Sequence, residues 1–337
     1  MGKTIYTQGA SPAVPYLSGT TIVSPTISSA SIDSSNSTLS NYNKPVNTFV
    51  AVASNSTAAA SSTDGITWTL RTLPASTTWY SATFGNNTFV ALADSLTTAA
   101  SSTDGITWTL RTLPTSATWY AATFGNNTFV AVAAYSTKAA SSTDGITWTT
   151  RTLPASAVWY SATFGNNTFV VLTSNLTTAA SSTDGITWTL RTLPASADWR
   201  SATFGNNTFV AVSTNSTTAA SSTDGITWTT RTLPSNPGWY SATFGNNTFV
   251  ALAFYSTTAA SSTDGITWTL RTLPATEFWV KTVFGNNTFV AVSGYSSKAA
   301  SSTDGITWTL RTLPAFVNWS TVTFGYSTQS SRLLQTL

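Results

Sequence analysis

The chain has no cysteine and no histidine, one methionine and one glutamate, and charged side chains occupy only 7% of its 337 positions. Without cysteine there is no disulfide framework and no thiolate metal site, and without histidine no imidazole acts as base or ligand. Long apolar runs are missing too, so no membrane insertion is expected. The opening residues Met1 to Tyr6 lack the apolar stretch of an export signal, and Tyr6 stands where a myristoylation motif has Ser or Thr. The net charge is +3, but Arg71 and Asp64 each recur once per repeat and cancel. The other charges are scattered, with no basic run or stripe, which excludes nucleic acid as a partner.

What is present is repetition. Ser-Ser-Thr-Asp-Gly-Ile-Thr-Trp begins at Ser61 and recurs every 40 residues to Ser301, and Phe-Gly-Asn-Asn-Thr-Phe-Val recurs from Phe84 to Val290. A period near 40 built of short strand-like pieces is the signature of a β-propeller. All 14 Trp fall at the Trp68 and Trp79 positions, and 14 of the 17 Phe at the Phe84 and Phe89 positions. Such strict placement marks core packing.

Each repeat divides into four strands: Trp79 to Phe84, Thr88 to Ala93, Ala99 to Thr103 and Ile106 to Leu113 in one copy. Asn86-Asn87 and Asp104-Gly105 read as hairpin turns, because type I′ turns need positive φ at both central residues. In the fourth strand Ile106, Trp108 and Leu110 are expected on one side, and Leu113-Pro114 is expected to end it. The series opens on a second strand at Thr48 and finishes on a first strand at Trp319. The fold predicted is therefore all-β: a seven-bladed propeller of four-stranded blades over residues 47–324. The C-terminal strand closes the ring, an extended arm spans residues 1–46, and a tail spans residues 325–337.

Connections between strands one and two and between three and four are near-invariant among the copies, whereas the other two sets differ. Variation is therefore concentrated on one face of the disc, and binding residues sit disproportionately on loops held by a rigid scaffold. Bulky and charged departures cluster in the sixth and seventh blades: Phe254, Tyr255, Glu277, Phe278, Lys281, Tyr295, Lys298 and Phe316. Aromatic faces beside a carboxylate and ammonium groups suit a sugar or a protein contact, so these are the candidate ligand-binding residues. The Asp64-type carboxylates suit their own turns better than a metal site, since no second ligand lies near. No catalytic residue, metal or cofactor is implied.

The segment Ser62 to Trp68 resembles the Asp-box of sialidase-like propellers, Ser-x-Asp-x-Gly-x-Thr-Trp, short by one residue between Asp and Gly. With Phe-Gly-Asn-Asn-Thr-Phe-Val, it is similar to the repeats of bacteriophage fibre, adhesin and decoration proteins, over residues 47–324. Sialidase activity does not carry over. That family uses three convergent arginines, a Tyr–Glu nucleophile and a further acid, whereas the repeat arginines here sit one per blade on outermost strands. Arg200 alone lies on an inner strand. With a single glutamate, the paired-carboxylate route to glycoside hydrolysis is poorly supplied as well, and the expectation is of a protein that is not an enzyme.

Residues 1–46 are rich in Ser and Thr and too poor in apolar residues to bury a core. They resemble the attachment regions of phage fibre and head-decoration proteins, which implies docking to other virion proteins or to copies of the same chain. The resulting expectation is a virion-surface protein, extracellular after release, whose variable propeller face binds a host surface glycan or protein. The alternatives are a purely structural decoration protein and a free multivalent lectin.

Overall fold

A computed structural model describes residues 42–331, residues 95 and 236 excepted. The arm assigned to residues 1–46 lies outside the described residues as far as residue 41. Among the described residues there are 27 strands and no helix. Val46–Ser327 form one compact unit, a seven-bladed β-propeller. Blade 1 is built from Tyr42–Ala53, Ser56–Ser62 and Thr69–Thr77, with Trp319–Ser331 as its innermost strand, so first and last segments share one sheet. Blades 2 to 7 follow in chain order, their inner strands starting at Trp79, Trp119, Trp159, Trp199, Trp239 and Trp279. Blades 2 and 3 are joined by an unbroken strand, Thr109–Gly125, which leaves one sheet as its outer strand and enters the next as its inner one.

Local chemistry accounts for each hairpin. Asn86 and Asn87 both have positive φ (43° and 56°), as a tight turn between Gly85 and Thr88 requires. The Asp-Gly turn differs from the sequence expectation. It is a wider loop held by its own side chains, and the fourth strand begins only at Thr109, not Ile106. Asp64 Oδ1 accepts the Ile66 and Thr67 amides at 2.8 Å each and the Ser62 hydroxyl at 2.9 Å, while Ser62 Oγ accepts the Gly65 amide. A side chain that replaces backbone partners in this way removes the need for a two-residue turn. The expected alternation fails with it: Trp108 is buried, but Leu110 is half exposed. Nor does Leu-Pro end the fourth strand, except in blade 5, where Thr229–Thr232 stops just before Leu233-Pro234. Thr69–Thr77 runs through Pro74, which sits in a register irregularity between Thr72 and Thr77 on the outer edge, where no ladder donor is missed.

The core lies between blades rather than within them. Seven buried clusters each join one blade to the next. In each, a fully buried Trp of the inner strand (Trp79 type) meets a Phe of the second strand (Phe89 type) and the loop Trp (Trp108 type). The glycine of the Asp-Gly loop presses on the preceding blade: a Cβ on Gly105 would lie 2.8 Å from Val50. The inner-strand glycine does likewise with the following blade, since a Cβ on Gly85 would lie 2.0 Å from the Phe124 ring. Both contacts recur across the seam between blades 7 and 1, Gly65 on Val290 and Gly285 on Phe324, so closure uses the same contacts as every other joint.

Candidate functional site

The inner strand carries a core Trp, and the residue after it faces the axis. Around the ring that second position reads Tyr80, Tyr120, Tyr160, Arg200, Tyr240, Val280 and Ser320. These side chains surround a cavity of about 350 Å³. Its lining also includes Asn55 and Asn318 from variable-face loops, so it opens at the centre of that face.

Tyrosine and arginine fill one side of the opening. Tyr80 stacks on Tyr120 with centroids 4.3 Å apart, and Tyr120 meets Tyr160 edge-on at 5.3 Å. The Tyr160 and Tyr240 hydroxyls hydrogen-bond at 2.9 Å across the intervening blade, where the Arg200 guanidinium lies 4.3 Å from the Tyr160 centroid. Arg200 Nε donates to Asp198 Oδ2 at 2.9 Å, and Asp198 also accepts the hydroxyls of Thr214 (2.6 Å) and Ser174. Burial works against ionisation of Asp198, but the Ser174 and Thr214 hydroxyls and the Arg200 charge outweigh it and hold the carboxyl below its ordinary value. Burial, reinforced by neighbouring phenols, pushes the Tyr80 and Tyr240 hydroxyls up.

The opposite side is open because Val280 and Ser320 are small. Lys281, the next residue, lines the cavity there. It is half-buried and makes no hydrogen bond or ion pair among the described residues, and desolvation draws its ammonium below the ordinary lysine value. At the rim Phe278 contacts Phe254 (3.9 Å), Tyr255 (5.0 Å) and Tyr295 (5.7 Å). Gly294 makes room for this ring: a Cβ there would lie 2.5 Å from Phe278.

The structure thus brings together five of the sequence-predicted residues, Phe254, Tyr255, Phe278, Tyr295 and Lys281. Glu277 and Lys298 pair with each other at 2.6 Å, Glu277 also accepting from Ser293 at 3.1 Å, which ties the end of blade 6's outer strand to blade 7. Phe316 stands apart, 76% exposed and without a ring contact. Sequence reasoning missed the axial Tyr80, Tyr120, Tyr160 and Tyr240 and the Asp198–Arg200 pair. The signal was available in the second position of the inner strand, which must face the channel if the preceding Trp faces the core.

One backbone feature adds to the site. Tyr135, Tyr255 and Tyr295 occupy equivalent turn positions with φ of 55°, 49° and 51°, where two other blades have Asn55 and Asn175. Bulky side chains avoid the left-handed region, yet these three rings are 61–72% exposed on the variable face.

No protein-family model matches the chain, and no curated protein matches it in sequence. Solved structures do. Virginiamycin B lyase from Staphylococcus aureus is 14% identical with a TM-score of 0.64, covering 70% of this chain and 85% of its own. YCF48 bound to D1 peptide is 16% identical with a TM-score of 0.58, covering 78% and 87%. Apo AztD from Citrobacter koseri is 10% identical with a TM-score of 0.52, covering 84% and 88%. At these identities the likeness shows the propeller fold alone. It also overturns the expectation that the protein is not an enzyme. The similar structures include lyases, and missing histidines and carboxylate pairs exclude only the chemistries that need them.

Proposed function

We propose that the protein is a recognition module whose funnel, at the centre of the variable face, binds part of a surface glycan. One observation carries this: seven nearly identical repeats depart from one another at the residues that line a single cavity. The chemistry suits a sugar, since exposed aromatic faces at the rim offer stacking and amides, hydroxyls and one ammonium inside offer directional bonds. Exposed tyrosines in strained turn positions support the same reading, because strain is retained where it serves a site. The setting we propose is the surface of a phage particle, attached through residues 1–46. That placement is supported by the resemblance of the repeats and arm to fibre and adhesin proteins.

The test is a glycan panel, with peptides included because YCF48 was solved with one, probed with the full-length protein. Phe278→Ala with Tyr295→Ala removes the rim, and Ser320→Tyr fills the open side. Saturable binding abolished by both variants is the expected result. Binding indifferent to Ser320→Tyr, or confined to peptides, would overturn the assignment.

A further inference from the structure

We infer that the funnel selects ligands bearing a carboxylate, and that Lys281 is the residue that holds it. This rests on the funnel being the binding site. The first argument is charge. Among the described residues no aspartate or glutamate lines the cavity, and the two cations that do differ in kind. Arg200 is neutralised by Asp198 at 2.8 Å, whereas Lys281 has no counter-ion among the described residues. A half-buried ammonium without a partner forgoes water without recovering the loss, and a ligand anion restores the missing interaction.

The second argument is what Lys281 displaces. At the equivalent position Ser81, Ser161, Ser201 and Ser241 each accept an amide of the following blade, at 2.9–3.0 Å. Lysine has no acceptor, so blade 7 gives up a bridge that four other blades make. The neighbouring Thr282 hydroxyl, 2% exposed, is left without a partner. A residue that weakens its own joint and faces a cavity is placed for the cavity. The third argument is shape: the second-position side chain shrinks to Val280 and Ser320 only at Lys281 and the adjoining blade, which opens a path to Nζ. A single positive charge, with Arg200 already engaged, matches a monoanion better than a dianionic phosphate. The aromatic rim stands where the rest of a ring-bearing ligand would stack.

The experiment uses the full-length protein and matched small probes: D-glucuronate against D-glucose, and N-acetyl-aspartate amide against N-acetyl-asparagine amide. Binding is read by ligand-detected NMR and by the side-chain signals of the chain's five lysines. The acid of at least one pair should bind roughly tenfold or more tightly than its neutral partner, shifting the Lys281 signal. Lys281→Met should abolish the preference, bringing the acid's affinity down to that of its neutral partner, and Lys281→Arg should retain part of it. Which pair responds tells whether the carboxylate belongs to a sugar or a peptide. Equal binding of acid and neutral probes, or a preference surviving in Lys281→Met, overturns the charge assignment and leaves the funnel as a site. If neither pair binds and Ser320→Tyr changes nothing in the glycan panel, the funnel itself is refuted.

Discussion

Replacing Tyr135 by Asn should make the protein more stable, although it removes an aromatic side chain. Tyr135 has φ of 55° and is 72% exposed, and it makes no ring contact with a neighbour. A residue with a Cβ loses roughly 1–2 kcal/mol in the left-handed region, and asparagine escapes much of this through local hydrogen bonding. In blade 1 Asn55 at the equivalent position accepts the Thr78 hydroxyl at 2.6 Å, but blade 3 has Val158 in the place of Thr78, so the gain at Tyr135 is relief of backbone strain alone. Against this gain stands little burial, so Tyr135→Asn should stabilise by about 1 kcal/mol. In a ring of this size that raises the melting temperature by roughly 2–4 °C. Tyr255→Asn is the internal control. It relieves the same strain but loses contacts with Phe254 (4.9 Å) and Phe278 (5.0 Å), worth about 0.5–1.5 kcal/mol each, and should come out neutral or destabilising. Thermal unfolding followed by tryptophan fluorescence would measure both. A destabilised Tyr135→Asn, or Tyr255→Asn gaining as much, would show that these turns store no strain.

Asp184→Ala removes the acceptor of three hydrogen bonds at 2.8 Å. It should cost about 1–2 kcal/mol in denaturant unfolding, and the same change in a distant blade should add; a cost below about 0.3 kcal/mol would mean that water replaces the bonds without penalty. Acid should destabilise the ring steeply. Although burial opposes it, amide and serine hydrogen bonds hold all seven Asp64-type carboxyls below the ordinary value near 3.8. Folded values below unfolded ones give stability that is present above the unfolded pKa and lost as pH falls through the folded ones, so melting temperatures should fall from about pH 4 downward. A flat profile to pH 2 would refute this. Gly165→Ala puts a Cβ 2.0 Å from the Phe204 ring, an overpacking expected to cost about 1–3 kcal/mol; unchanged unfolding would mean that the joint gives. Gly294→Ala drives its Cβ to 2.5 Å from Phe278, and should reduce glycan binding with the ring still folded.

The ring was legible in the sequence because its core is periodic. Trp at 79 and its equivalents, Phe at 84 and 89, and Gly at 85 and 105 each recur at the interval of the blade, and the odd strands at the two ends fixed how it closes. The Asp-Gly loop was less legible. Asp-Gly was read as a hairpin by its turn propensity, while the side chain of Asp64 takes over backbone bonding that propensity does not describe. Pro74 likewise looked like a stop, although an outer edge strand tolerates it. Of the site, the rim was found through its unusual residues, Phe254, Phe278 and Tyr295. The channel wall was overlooked because Tyr80 and its copies are regular, and regularity was equated with core. Periodicity in a ring identifies both what faces the neighbouring blade and what faces the axis, and only strand alternation tells them apart.

Free drift among copies is the simplest account of a variable face, since loops tolerate change more readily than tight turns. It predicts departures scattered around the disc and indifferent to each other. The departures here are neither. Lys281, Val280 and Ser320 lie on adjacent inner strands, Phe278 enters from the connection just before them, and Gly294 is the residue whose missing Cβ lets Phe278 settle there. Gly294 replaces Ser54, Asp94, Ala134, Ser174, Thr214 and Phe254 of the other blades, none of which would leave the space. Drift has no reason to shrink one residue in step with the arrival of an aromatic ring two loops away. Nor does it explain why, of the three copies without the bridging serine, the one with a lysine lies beside the one open side of the channel. Changes that are individually unfavourable for the ring, and that fit one another around a single cavity, are the pattern expected of a site.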